Sequence, residues 1–257
     1  MNDNLASTRN EWEQRAAQAG NELSGVLFRG FSEQANVAMH RWHEWVVSES
    51  FLPRLINGAR MLDLGCGYGR LAKTIRVRRK DIDVVGQDLS LAYCKLYHDG
   101  TGDCVQADGR GMPFAAGAFD AVMAVTCLMY APRADVPAQL ADIHRVLRKR
   151  GSLLLLDPGY ELQHLIAAVA FKSTKSPTGG RGFSMAEYPA LVSNAGFRIQ
   201  AMGGNPWLSI ALVVPGVARS NHALVRSVLD RNASKDSRAA GFSRLALHRW
   251  IIASREG

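Results

Sequence analysis

The stretch that decides the fold is MLDLGCGYGRLA, residues 61–72. A short apolar run, Met61–Leu64, leads into Gly65, Gly67 and Gly69, and a helical pattern starts at Arg70. Glycines between a strand and a helix permit a tight turn and a close approach of backbone to ligand. The helix that follows offers unpaired N–H groups. Two familiar phosphate loops are excluded. A dinucleotide fingerprint needs glycine three residues after Gly67, where Arg70 stands, and no Gly-Lys-Ser/Thr ending marks a P-loop. Asp63, two residues ahead of the first glycine, would repel a pyrophosphate and attract a cation. The ligand should therefore carry an amino group at that point.

Two further acids occupy equivalent places. Asp88 closes the apolar run IDVVGQD, and a carboxylate at the end of a second strand can accept both hydroxyls of a ribose. Asp108 follows CVQ at the end of a third run and could accept from an exocyclic amine. Aspartate is common at strand ends as a cap or turn former, so each acid alone has a bland explanation. The three together with the glycine loop describe an adenosine bearing a cationic amino-acid tail, S-adenosylmethionine.

Around this loop, short β-branched or leucine-rich runs (MLDL, IDVVGQD, CVQAD, FDAVMAV, SLLLLDP) alternate with the helical stretches RLAKTIRVRRK, LAYCKLYH and DVPAQLADIHRVLRKR. That alternation predicts a parallel sheet covered on both faces. Residues 1–59 read as an N-terminal helical cap, with Ser7 or Thr8 capping a helix that ends at Gly20 and Ser32 opening a second. Past Asp157 come an apolar helix candidate (ELQHLIAAVAF), a loop (STKSPTGGRG) and a Ser184/Glu187 capping box. GFRIQAM and LALHRWIIAS read as two more strands. Residues 205–242 between them are a partly helical lid or insertion, too long for a turn.

The sequence resembles the class I S-adenosylmethionine-dependent methyltransferases, and within them the type 11 group that includes ubiquinone/menaquinone-type enzymes. The likeness runs over about residues 60–157 and rests on LDLGCGYG, VVGQDLS, ADGRGMPFAAGAFDAV and HRVLRKRGSLLLLDP. The family's usual Pro-Gly-Gly turn is here Lys149, Arg150 and Gly151. The resemblance implies a Rossmann-like sheet of seven strands with the last antiparallel, in a domain spanning 60–257. It also implies roles by position. Asp63, Gly65 and Gly67 would hold the methionine part, Asp88 the ribose, and Leu89 the adenine face. Asp108 and the Gly109 N–H would read the adenine edge, and Thr126 would lie near the sulfonium. The product would be S-adenosylhomocysteine.

The implied reaction is methyl transfer to oxygen or nitrogen of a small biosynthetic intermediate, hydrophobic or anionic. A hydroxyl acceptor usually needs a general base and a neutral amine does not. Tyr130, four residues past Thr126, and His164, beyond the fifth strand, are the candidates for the substrate side; His40 and His43 sit on an N-terminal helix. Every one of these histidines also reads as a packed or surface residue, and His144 reads as structural. The alternatives are an RNA methyltransferase and a non-catalytic S-adenosylmethionine-binding subunit.

Composition narrows these. The 257 residues carry a net charge of +8 and 47% hydrophobic residues, a globular make-up. Residues 158–257 hold 12 basic and 5 acidic side chains, which suits an anionic substrate, a nucleic acid or an acidic membrane. The cations Arg219, Arg226, Arg231, Lys235, Arg238, Arg244 and Arg249 are spread through the insertion without interleaved aromatics, and the segment after the fourth strand reads VTCLMYAPR where a nucleobase amino-methylating enzyme would carry Asn/Asp-Pro-Pro-Tyr/Phe, so nucleic acid is disfavoured. Cys66, Cys94, Cys104 and Cys127 form no C-x-x-C pair, so no metal site is expected. The uncharged stretch Ile199–Ala218 is broken by Gly203, Gly204, Pro206 and Pro215, too short for a membrane span. With no signal pattern at the start, the expectation is a soluble, cytoplasmic protein capable at most of peripheral membrane contact. Oligomeric state is not encoded in any pattern read here.

Overall fold

The computed structural model describes residues 2–162, 164, 180–214, 216–238 and 241–256. Most of the ELQHLIAAVAF segment and of the STKSPTGGRG loop lies outside them. Seven strands form one sheet in the order β3-β2-β1-β4-β5-β7-β6. β1 (Arg60–Leu64) lies between β2 (Asp83–Asp88) and β4 (Phe119–Val125); β3 (Cys104–Gln106) is one edge. β5 (Leu147–Pro158) pairs parallel with β4. β7 (His248–Arg255) runs antiparallel between β5 and β6 (Phe197–Gly204), as expected of the last strand.

Strand residues alternate between two cores, the period-two rule acting on a sheet buried on both faces. Met61, Met123, Leu154, Leu156 and Ile252 face one side, joined by Trp42, Phe51 and Ile75. Leu62, Leu64, Val122, Leu153 and Leu155 face the other, joined by Leu140, Ile143 and Tyr188. Large side chains buried to this extent contribute roughly 1.5–3 kcal/mol each.

The crossover helices are α4 (Arg70–Arg78), α5 (Leu91–Gly100) and α6 (Val136–Val146), with α7 (Glu187–Asn194) ahead of β6. Before the sheet come α1 (Asn2–Ala19), the single turn α2 (Leu23–Val26) and α3 (Glu33–Trp45), which continues as a π-helical segment, Val46–Phe51. Ser32 caps α3 by accepting from Ala35 N at 3.2 Å. The Ser184/Glu187 box closes in both directions, at 3.1 and 3.3 Å.

Two boundaries differ from expectation. α1 begins at Asn2, so neither Ser7 nor Thr8 is its cap. The helix expected to reach Arg150 stops at Val146, because Leu147 pairs with Phe119 in the sheet and the Gly117 N–H donates to Arg145 O. The long excursion between β6 and β7 holds α8 (Pro206–Val213), a 3-10 turn (Val217–Arg219) and α9 (Ala223–Arg238). It packs against α3.

Candidate active site

At the carboxyl ends of β1, β2 and β4 the sheet opens into a cavity of about 580 Å³, the place where open α/β sheets bind ligands. The glycine turn forms its floor. Gly65 and Gly67 have φ of 70° and 53°, and a side chain at Gly65 would meet Cys127 Sγ at 2.6 Å. The loop is clamped by Asp88, whose Oδ2 accepts from Gly67 N at 2.8 Å while Oδ1 accepts from Ser90 N at 2.9 Å. Burial pushes the Asp88 acid up to about 6 against the pull of those backbone donors.

Asp63 differs from Asp88 in one decisive respect. It is 4% exposed and lines the cavity, yet no donor among the described residues hydrogen-bonds its carboxylate. Burial drives its acid up to about 7; the nearby Arg70 cation opposes the shift and Asp88 adds to it. A carboxylate removed from water without a donor is costly, and the natural remedy is a cationic donor arriving from the cavity. Gln87 Oε1, also buried and unpartnered, is a second idle acceptor on the cavity wall. The residues present thus fit an adenosyl ligand with an ammonium group.

The remaining expected residues are distributed less simply. Leu89, Gly109 and Thr126 line the cavity. Thr126 has a φ of 54° and its N–H donates to Leu156 O at 2.6 Å; a left-handed threonine is held only where its surroundings enforce it. Asp108 reaches the cavity already engaged. Arg110 donates to its Oδ2 through Nε (2.9 Å) and Nη2 (2.6 Å), and to Asp135 through Nη1 at 2.7 Å. Tyr130 borders the cavity at its outer end, edge-on to Trp12 with ring centroids 4.9 Å apart and hydrogen-bonded to Arg15. His164 is not among the lining residues. It is exposed and packs beside Tyr160, 5.6 Å between centroids, so a role as base in this cavity has no geometric support.

Several participants were not foreseen. Arg70, buried and on the cavity wall, donates to His40 Nδ1 (3.1 Å) and His43 Nδ1 (3.0 Å). Both imidazoles must therefore accept at Nδ1. His43 then carries its proton on Nε2 and donates to His248 Nδ1 at 2.8 Å. Burial, reinforced by the Arg70 charge, pushes His40 down to about 4 and His248 to about 3, so the chain stays neutral. His40 and His43 thus stand behind Arg70, and neither lines the cavity. His144 packs edge-on against Phe197, as a structural residue would.

The cavity's roof comes from α1. Leu5, Thr8 and Trp12 face inward, and the Glu13 carboxylate accepts from Leu91 N (2.5 Å) and Ala92 N (3.1 Å) at the start of α5. No described residue of 205–242 lines the cavity.

Residues 62–155 match the model of a methyltransferase domain. That match covers little more than a third of the chain, the segment that holds the glycine turn and the three strand-end acids. Over 121 residues, 45% of its length, the chain is 33% identical to a fatty-acid O-methyltransferase of Mycolicibacterium smegmatis. It is also 34% identical over 104 residues, 38% of the chain, to a demethylmenaquinone methyltransferase of Thermus thermophilus. The matched stretches span 43% and 46% of those relatives, less than half of each. A geranyl diphosphate C-methyltransferase of Streptomyces coelicolor, solved with S-adenosylhomocysteine, superposes with a TM-score of 0.64 at 13% identity over 99% of this chain and 98% of that one. At that identity the likeness is one of fold. It includes the helices on either side of the methyltransferase domain as well as the domain itself.

Proposed function

We propose that this methyltransferase transfers a methyl group from S-adenosylmethionine to oxygen or nitrogen of a small molecule that is apolar in body and ionised or nucleophilic at neutral pH, with a carboxylate oxygen the best-supported acceptor. The observation that carries the cofactor assignment is Asp63, a buried carboxylate that no donor among the described residues reaches, on the wall of a cavity that Asp88 also lines.

The acceptor class follows from which groups are already committed. Asp63 and Asp88 belong to the cofactor end. Asp108 and Asp135 are tied to Arg110, and the Tyr93 hydroxyl donates to Gly25 O at 2.8 Å. Tyr130 is engaged with Arg15. Among the described residues, no lining side chain at the outer end is left as a general base, so an acceptor that must lose a proton there is poorly served. A carboxylate or a neutral amine needs none. The ring faces of Trp12 and Tyr130 and the side chain of Leu5 offer apolar contact to the body of such a molecule. The relatives whose names specify a fatty acid, a malonyl-[acyl-carrier protein] and a demethylmenaquinone support the same class of apolar or acidic small molecules.

When bound, the sulfonium supplies an already activated methyl group. The chain's own residues then have three tasks: Asp63 and Asp88 fix the ammonium group and the ribose of the cofactor, Thr126 and the glycine turn shape the wall beside its reactive part, and α1 excludes water. Calorimetry with S-adenosylmethionine and S-adenosylhomocysteine, followed by methyl-transfer assays on fatty acids, aryl acids and amines, tests the reading. Cofactor binding with transfer to acids or amines is the expected result. Absence of heat for either nucleoside would overturn it.

A further inference from the structure

The large hydrophobic side chains left in solvent are not scattered. Of the eleven found among the described residues, eight lie between Met202 and Leu245, in or beside the insertion. On α8 the exposed residues Trp207 and Ile210 recur at helical spacing and Val214 follows at the C-cap, while Leu208, Ala211 and Leu212 are buried beneath them. On α9, Leu224 and Val228 are exposed one turn apart, and the same stripe continues as Arg231 and Lys235. The two helices run antiparallel: Asp236, near the end of α9, accepts from Trp207 N (3.0 Å) and Leu208 N (2.8 Å) at the start of α8, and Lys235 sits 5.1 Å over the Trp207 ring. Their exposed faces therefore join into one apolar patch, with the cations Arg231 and Lys235 at the end where Trp207 lies.

The charges choose its partner. The insertion's two carboxylates are both committed elsewhere, Asp236 to the α8 start and Asp230 to Arg41 (3.0 Å) and Arg226. No acid among the described residues lies within ion-pair distance of Arg231 or Lys235. A second copy of the chain seated face to face would set cations against cations. An anionic lipid surface would meet the cations with phosphate and take the tryptophan and aliphatic side chains at its interface, as amphipathic interfacial helices do. No described helix is long and apolar enough to cross a membrane, so the contact is peripheral. The insertion joins the end of β6 to the start of β7, at the same end of the strands as the cavity.

We propose that α8 and α9 form a docking face for anionic membranes, with Trp207, Ile210 and Leu224 inserting at the interface and Arg231 and Lys235 meeting the headgroups. This inference is independent of which acceptor is methylated. It is tested by flotation of the full chain with vesicles of phosphatidylcholine alone and of phosphatidylcholine with 30% phosphatidylglycerol, at about 50 and 300 mM salt. The protein should float with the anionic vesicles at low salt, and lose most of that binding at high salt. R231E/K235E should cut the partition on the order of tenfold or more, and W207S/I210S likewise, with cofactor binding and melting temperature unchanged. Failure to float at low salt would overturn the proposal, as would binding indifferent to both double variants. So would a dimer in light scattering that W207S/I210S turns into monomer, since that would make a second copy the occupant.

Discussion

If Asp63 is the cofactor's ammonium site, affinity must follow its ionisation. Burial holds this acid at about 7 rather than the usual 3.8, so near pH 6 about nine molecules in ten carry it neutral. The ionised fraction then falls about tenfold per pH unit below 7, and binding weakens by about 1.4 kcal/mol for each unit. Above pH 7 the carboxylate is ready, but an α-amino group loses its own proton near 8. Affinity should therefore peak between about 7 and 8 and decline on both sides. Binding at pH 7 should expel about half a proton, because the arriving cation favours the ionised acid. A hydrogen bond to a charged group is worth roughly 1.5–3 kcal/mol, so Asp63→Asn should weaken binding at pH 7.5 by on the order of 10- to 150-fold and abolish the acid limb. The assay is titration calorimetry from pH 6 to 8.5 in two buffers of different ionisation enthalpy. Affinity flat from pH 6 to 7.5, or a variant binding within twofold of the parent, would refute the assignment.

Asp88→Ala should remove measurable cofactor binding and also cost about 1–3 kcal/mol of stability, since Gly67 N and Ser90 N lose their acceptor; calorimetry and denaturant melts read the two effects separately. Glu13→Gln keeps the shape of the α1–α5 contact but removes its charge at a helix start, and should release cofactor about threefold faster in stopped-flow displacement. Tyr188→Phe deletes the 2.8 Å bond from its hydroxyl to the buried Asp157, an acid that burial raises to about 7. Because a raised acid is neutral below that value and ionised above it, the loss should be roughly 1.5–3 kcal/mol at pH 8 and about half that at pH 5.5 in urea melts.

What the sequence disclosed was local chemistry. Asp63, the glycine turn, Asp88 and the strand runs sit within a few residues of the features they define, and all fall where the pattern put them. Contacts between distant segments had no sequence signal. His43 meets His248 across 205 positions, and Glu13 reaches Leu91 across 78. The engagement of Asp108 by Arg110 was two residues away and still invisible, because spacing says nothing of which way a guanidinium turns. α6 was drawn too long for a related reason: HRVLRKR continues the helical pattern, and only pairing of Leu147 with Phe119 shows where the strand begins.

The N-terminal helices are more than a cover. Trp42, Val46, Val47 and Phe51 are almost wholly buried in the same core as Met61 and Leu154, so the segment from α3 onward cannot be lifted away without exposing the sheet. α3 also stands between two sites. One side carries His40 and His43, which hold Arg70 at the cavity wall. The other receives α9 and the turn before it, through Arg41 to Asp230 and Gln34 Nε2 to Asn221 O at 2.6 Å. A displacement of α9 is therefore felt first by α3, the helix that sets the position of Arg70, the arginine whose charge acts on Asp63. The hydrogen-bonded imidazoles give that connection a defined direction: each must remain neutral and in one tautomer for Arg70 to stay where it is. Neutral histidines in this position serve as fixed acceptors for a buried cation, which in turn keeps Asp63 less protonated than burial alone would make it.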